Sequence, residues 1–94
     1  MIREIPLQPG NAHLSFRVEL SSVSVKVRLD WLTRYGYFNA HITGPDGVLT
    51  AGKGLHPDMD LLVDVPSIPG RLYIQGQAPT VDNLGTDARL VYET

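Results

Sequence analysis

Apolar and polar residues alternate most regularly near the start of the chain. Residues 13–20, HLSFRVEL, place an apolar side chain at every second position, and residues 23–31, VSVKVRLDW, do the same. A period of two is typical of β-strands that bury one face. Only Ser21 and Ser22 separate the two runs, so we expect a tight hairpin, although serine is not a preferred residue where a turn requires positive φ.

Shorter runs predict further strands in the rest of the chain. We expect them at Tyr37–Thr43, Val48–Ala51, Arg71–Gln75 and Arg89–Glu93. The sequence GPDG at 44–47 is a strong turn signal, because proline presets φ and Asp-Gly favours the turn itself. The first four strands therefore form a predicted meander.

The segment 53–70 interrupts these strands and contains three prolines. Asp58 or Asp60 is placed to cap one helical turn through Leu61–Val63. Pro66 and the proline after it prevent a longer helix.

The patterns together predict an all-β fold. We expect a small single-domain β-barrel or sandwich of five to seven mostly antiparallel strands with at most one short helical turn, in which residues 1–94 form one β domain. The chain has 94 residues and no cysteine. Its core is therefore small and carries no disulfide, and a partner subunit is one way to supplement it.

The charge of the chain argues against general nucleic-acid binding, since the net value is −2 at pH 7. The first 36 residues carry +2 and the remainder −4. No apolar run is long enough for a transmembrane helix, and the N-terminal residues lack the apolar stretch of a signal peptide.

Residues with catalytic or metal-binding chemistry are present but scattered. The three histidines lie in separate segments without metal-ligand spacing, which favours surface or packing roles: His13, His41 and His56. The aspartates at 58, 60 and 64 lack the glycine and the ligand spacing of a calcium loop. Nucleophile-elbow, phosphate-loop and dinucleotide motifs do not occur. We therefore expect no enzyme activity, no metal site and no cofactor.

Aromatic residues cluster where the second and third predicted strands connect. Trp31 either continues the apolar face of its strand or joins a contact surface, and the first alternative is favoured. Tyr35 falls in the connection, and Tyr37 lies on the face opposite Phe38. Exposed aromatic side chains beside Arg34 suit a protein–protein contact.

Several short segments occur in a particular order over nearly the whole chain: IPL at 5–7, VRLDW at 27–31, YGYFNAHIT at 35–43, GPDGVLTAGKGL at 44–55, DMDLL at 58–62 and DNLGTDARLVYET at 82–94. This order resembles that of the phage baseplate plug family, small proteins encoded in the tail modules of contractile-tailed phages. The most specific part is DNLGT at 82–86 followed by a short R-L-x-Y strand. The chain departs from the family at Ser21 and Ser22, where glycines are frequent, and at Leu32, where asparagine is frequent.

The resemblance implies a structural component of a contractile phage tail baseplate, a plug or hub protein at the tail axis that closes or lines the tube end until contraction. Its implied partners are baseplate hub, spike and tail-tube proteins, with a homo-oligomeric ring or trimer inside the assembly and no direct contact with nucleic acid or membrane. Its implied location is the virion tail baseplate, after synthesis in the host cytoplasm. The alternative is a soluble β-barrel binding or adaptor module of a tail fibre or secretion machine.

A physical role for DNLGT accompanies this expectation. Asp82 and Asn83 are able to close an Asx-turn, and Gly85 supplies positive φ without steric cost. Leu84 then either projects as an apolar anchor that docks on a hub or tube subunit, or folds back to cover the open end of its own fold. The predicted interface comprises Trp31, Tyr35, Tyr37, Asp82, Asn83, Leu84 and Gly85.

Overall fold

The chain forms a β-sandwich in a computed structural model that describes residues 2–57, 59–63 and 65–94. Strands β2 to β5 form a four-stranded sheet in sequence order, and β1, β7 and β6 form a three-stranded sheet in that order. All neighbouring strands are antiparallel. Because the two sheets remain separate, the sandwich alternative is confirmed and a closed barrel does not form. The strands are β1 (Ile2–Ile5), β2 (His13–Leu20), β3 (Val23–Leu32), β4 (Tyr37–Gly44), β5 (Gly47–Gly54), β6 (Arg71–Gly76) and β7 (Ala88–Glu93).

Six of these strands lie where the alternation predicts them, with ends that differ by three residues or fewer. The exception is β1, which the sequence reasoning missed. Its four residues, IREI, contain two charged side chains and no alternating pattern, and only Ile5 is buried. The strand exists because it pairs with β7, where Ile5 lies opposite Leu90. Tertiary pairing rather than local preference therefore creates it.

The β2–β3 hairpin has the tight turn that the two-residue spacing predicts. Ser21 and Ser22 have φ angles of 51° and 71°, and Leu20 lies opposite Val23. Two consecutive positive φ values define a type I′ turn, whose twist matches that of the strands. The Ser21 hydroxyl lies 2.6 Å from the Tyr92 hydroxyl, which donates to the Pro69 carbonyl. The hairpin tip is therefore held to the three-stranded sheet.

The core lies between the two sheets and also includes residues of the connection between β5 and β6. Alternate residues of each strand point into it, so the hydrophobic pattern and the strand register agree. The inward residues of the four-stranded sheet include Val25, Val27, Leu29, Phe38, Ala40 and Ile42, those of the three-stranded sheet include Ile5, Leu72, Ile74, Leu90 and Tyr92, and the connecting segment adds Leu55, Leu61, Leu62, Val65 and Ile68.

The predicted helical turn is a hydrogen-bonded turn closed by Asp60. One oxygen of Asp60 accepts from the backbone N–H of Leu62 at 2.9 Å and of Leu72 at 3.0 Å. Leu61 N–H donates to the Leu72 carbonyl at 2.8 Å. Asp60 therefore shapes the turn and also fastens it to β6. Asp58 and Asp64 lie outside the described residues, and none of the residues described is in a helix.

Candidate functional site

Trp31 occupies the end of the inward row of β3. It lies opposite Phe38 of β4, and the two rings meet edge to face with their centroids 5.1 Å apart. Its side chain is half-buried, whereas Phe38 is fully buried. Trp31 thus continues the apolar face of its strand, the favoured alternative, and its outer part remains open to contact.

Two tyrosines and a histidine form an aromatic cluster at one end of the four-stranded sheet. Tyr35 lies in the turn between β3 and β4 and is 65% exposed. Its ring centroid is 6.3 Å from that of Tyr37, which is 5.2 Å from that of His56. Gly54 makes room for this arrangement, because a Cβ at that position would lie 2.8 Å from His56 Nε2. We call Tyr35, Tyr37 and His56 the aromatic cluster.

Asn83 organises the loop that contains DNLGT. Its side-chain oxygen accepts from the N–H of Thr80 at 2.7 Å, and its side-chain nitrogen donates to the carbonyl of Ala78 at 3.1 Å. Its own carbonyl accepts from the N–H groups of Thr86 and Ala88 at 3.0 and 3.1 Å. The side chain therefore reaches back along the chain, and the expected forward Asx-turn is not the bond that it makes.

Leu84 and Gly85 hold this loop against the rest of the protein. Leu84 is 1% exposed and belongs to the core, so it folds back and does not project. Burial of the leucine side chain is the favourable outcome in a chain with so small a core. Gly85 has a φ of 94°, as expected, and lies against the Leu7 carbonyl. Four residues of this loop, 82–85, were predicted to lie in an interface, and of these Asp82 is the exposed one.

The outward face of the four-stranded sheet carries a charged network that the sequence reasoning did not assemble. Asp30 accepts from His13 Nδ1 at 2.9 Å and from Arg28 Nε at 3.0 Å, and His41 Nε2 lies 3.9 Å away. Strand register brings these residues together, since His13 lies opposite Asp30 and Arg28 opposite His41. Reading the outward positions of adjacent strands as one face would have revealed the network.

This network affects the ionisation of Asp30, whose side chain is 15% exposed. The hydrogen bond from His13 is the largest influence and lowers the Asp30 pKa below its usual value, and the hydrogen bond and positive charge of Arg28 act in the same direction. Burial opposes them and is the second-largest influence, weaker than the hydrogen bond from His13 but stronger than either contribution of Arg28. Across the residues that the structure describes, no cluster of acidic, histidine or cysteine side chains is arranged to hold a metal ion.

Two antiparallel sheets around one core, with an aromatic cluster at one end and a charged network on the outward face, define a small β-sandwich protein. Within the described ranges, no helix has the length and apolar character needed to cross a membrane. A protein-family model described as cyanophage baseplate Pam3 plug gp18 matches residues 2–94. The chain belongs to this family of phage baseplate plugs, which confirms the resemblance seen in its sequence. No curated protein matches the chain.

Membership in this family assigns a structural role in the phage tail baseplate, together with assembly alongside other baseplate components. The virion tail baseplate is the corresponding location.

Proposed function

We propose that this chain is a plug at the axis of a contractile phage tail, where it closes or lines the tube end at the hub until contraction. The observation that carries the proposal is the family match, which extends over residues 2–94 rather than over one motif. A plug of this kind acts by filling space and by losing contacts when the tail is triggered. It requires no chemical reaction, and we propose that the protein is not an enzyme.

The aromatic cluster supports a role in contacts of this kind. Aromatic side chains frequently dominate the energy of protein interfaces, because they bury a large area with few rotatable bonds. Tyr35 projects from its turn, and Tyr37 supports it from the sheet. We propose that these two residues anchor the chain to a neighbouring baseplate protein, with the outer part of Trp31 alongside.

The DNLGT loop contributes differently to the proposed interface. Asp82 offers an exposed carboxylate, whereas Asn83, Leu84 and Gly85 fix the loop from within through hydrogen bonds, burial and close packing. Under this proposal, Asp82 makes the contact and the other three residues position it. A loop held in this way loses little conformational entropy on docking, which favours binding.

The proposed neighbours are hub, spike and tail-tube proteins, and the proposed arrangement is a ring or trimer of copies around the tail axis. Several exposed apolar side chains support burial in an assembly. They include Ile2, Val48 and Val63, which are 52%, 69% and 65% exposed. In the assembled baseplate, we expect part of this apolar surface to be covered.

Quantitative peptide mass spectrometry of purified phage particles tests this proposal. We expect the chain at a few copies per particle, in a fixed ratio to tube and sheath proteins through successive purification steps. A soluble host protein measured in the same samples should decline at each step and serves as the control for contamination. Loss of the chain in parallel with that control would contradict the proposal and favour an adaptor or assembly factor.

A further inference from the structure

The four edge strands of the sandwich differ in how they are protected from pairing with another chain. The β5 edge carries a register irregularity and three glycines. On the β6 edge, the backbone N–H and carbonyl of Leu72 are already hydrogen-bonded to Asp60 and Leu61. The β1 edge is only four residues long and is followed by Pro6. The β2 edge has eight residues without glycine, proline or bulge. Long regular edges are the ones that other strands extend.

The backbone groups that β2 offers follow from its hairpin. In a two-residue turn, the flanking pair, Leu20 and Val23, exchanges hydrogen bonds, and the bonded pairs then recur at every second residue. Even-numbered residues of β2 therefore bond to β3, while odd-numbered residues direct N–H and C=O outward. Two contacts agree with this parity: Trp31 N–H donates to the Ala12 carbonyl, and Arg3 donates to the Glu19 carbonyl.

Below this edge lies an apolar groove. The inward side chains Leu14, Phe16 and Val18 are only half-buried, although their partners on β3 are at most 1% exposed. The groove continues to the end of β1 and the chain that follows it, including Ile5 and Leu7. An added strand would cover the inward row of β2 and pair with its free edge at the same time.

On the outward side of the same edge, which also carries Glu19, two positively charged side chains face each other. Arg17 lies directly opposite Lys26, an arrangement of like charges that destabilises neighbouring strands. Among the described residues, neither side chain has an ion-pair partner, whereas Arg28 on the same face is paired with Asp30. An acidic side chain on an added strand would relieve the repulsion between Arg17 and Lys26.

We propose that the free edge of β2 receives an extended segment of a neighbouring baseplate protein. The segment has apolar residues at alternate positions, which cover Leu14, Phe16 and Val18, and an acidic residue on its other face beside Arg17. This is strand addition, in which backbone hydrogen bonds give affinity and alternate side chains give specificity.

A second copy of the chain is a less suitable occupant. Antiparallel pairing of two β2 strands is a two-fold contact, which closes a dimer and does not generate a ring around an axis. The identity of the partner as a baseplate protein rests on the proposed function, whereas the capacity of the edge to accept a strand does not.

Nuclear magnetic resonance of the isotopically labelled full chain tests the edge with two synthetic probes. One short peptide alternates valine with glutamate, and the control peptide alternates valine with lysine. We expect the acidic peptide to slow hydrogen exchange of the Ser15 and Arg17 amides and to bind at least ~10-fold more tightly than the basic one. Failure of the acidic peptide to affect these amides, or equal binding of the two peptides, would overturn the proposal.

A pair of variants separates strand pairing from other contacts. Ser15→Pro removes an outward N–H without removing a β2–β3 hydrogen bond, and Ser15→Thr keeps that N–H. The spectra of both variants must first show that the chain is folded. We then expect Ser15→Pro to abolish peptide binding and to lower incorporation into particles at least ~10-fold relative to Ser15→Thr. Self-association of the free chain through the Ser15 and Arg17 amides would identify a second copy as the occupant and overturn the proposal. Binding of the peptide together with absence of the chain from particles would retain the edge and refute the proposed function.

Discussion

Gly85 lies against the backbone carbonyl of Leu7, so the DNLGT loop and the segment after β1 meet without space for a side chain. Nearby, the N–H of Gly10 donates to the carbonyl of Val81 at 2.7 Å. These two contacts hold together parts of the chain that are more than seventy residues apart in sequence. The loop therefore serves first as an internal fastener of the sandwich, and its exposed Asp82 is positioned by that fastening.

A methyl group at position 85 is expected to destabilise the fold strongly. Gly85→Ala combines a left-handed φ of 94° with overlap between the new Cβ and the Leu7 carbonyl. The backbone strain alone costs about 1–2 kcal/mol, and the overlap adds to it. We expect a loss of ~3 kcal/mol or more in the free energy of unfolding, measured by urea denaturation.

Gly10 supplies the matched control for this substitution. Its φ is 98°, but a Cβ there would have no atom within 4 Å. Gly10→Ala should therefore lose only the strain contribution of about 1–2 kcal/mol. Equal losses in the two variants would show that the contact with Leu7 does not matter.

The hairpin turn offers a stabilising substitution. Ser22 has a φ of 71°, which glycine adopts without strain, and its side chain is exposed. Ser22→Gly relieves about 1–2 kcal/mol of strain and adds about 0.5–1 kcal/mol of entropic cost. We expect a net gain of ~0.5 kcal/mol in the free energy of unfolding, seen as a higher urea midpoint.

The control for this effect is Ser24, an exposed residue in the regular part of β3. Ser24→Gly has no positive φ to relieve and should lose about 0.5–1 kcal/mol. A loss of stability in both variants would contradict the account of the turn.

Substitutions of Trp31 and Tyr35 should distinguish a residue that stabilises the fold from one that is needed for assembly. Trp31→Ala removes an edge-to-face contact with Phe38 and part of the apolar row, so we expect a loss of ~2 kcal/mol or more in unfolding free energy. Tyr35→Ala removes an exposed ring and should change stability by less than about 0.5 kcal/mol. If Tyr35 anchors the plug, its variant should instead be depleted from purified particles, as mass spectrometry would measure. Normal incorporation of a folded Tyr35→Ala chain would remove Tyr35 from the interface.

Most of this fold is predictable from the sequence alone, because the patterns that determine the strands and the hairpin lie within short stretches of the chain. The period of two in β2 and β3 determines both the strands and their buried face, and a two-residue gap determines the hairpin. The separation into two sheets depends on distant partners, such as β1 pairing with β7, and no local pattern encodes it. For the same reason, alternation predicted a sheet but left the choice between barrel and sandwich open.

The site was less predictable, since exposure depends on tertiary packing. Tyr35 lies in a turn and is exposed, as its position suggested. Leu84 lies in a polar loop yet is buried, because the loop folds back onto the core. The network of His13 and Asp30 joins residues 17 positions apart. It follows from strand register, which the hairpin already specified.

The Asp30 network should make stability depend on pH in the acidic range. The hydrogen bond from His13, followed by Arg28, holds the pKa of Asp30 below its usual value in the folded state. A lowered folded-state pKa contributes stability above the unfolded pKa of about 3.9, and that contribution is lost as pH falls through the folded pKa. The parent protein should therefore lose stability steadily between about pH 5 and pH 2.

Urea midpoints measured across this range test the assignment. Asp30→Asn cannot ionise at that position, so its stability should fall less steeply with decreasing pH than that of the parent. His13→Ala keeps the carboxyl but removes the largest cause of the lowered pKa, so its slope should lie between the other two. Curves for the parent and Asp30→Asn that run parallel from about pH 5 to pH 2 would show that Asp30 is not responsible for the acid sensitivity.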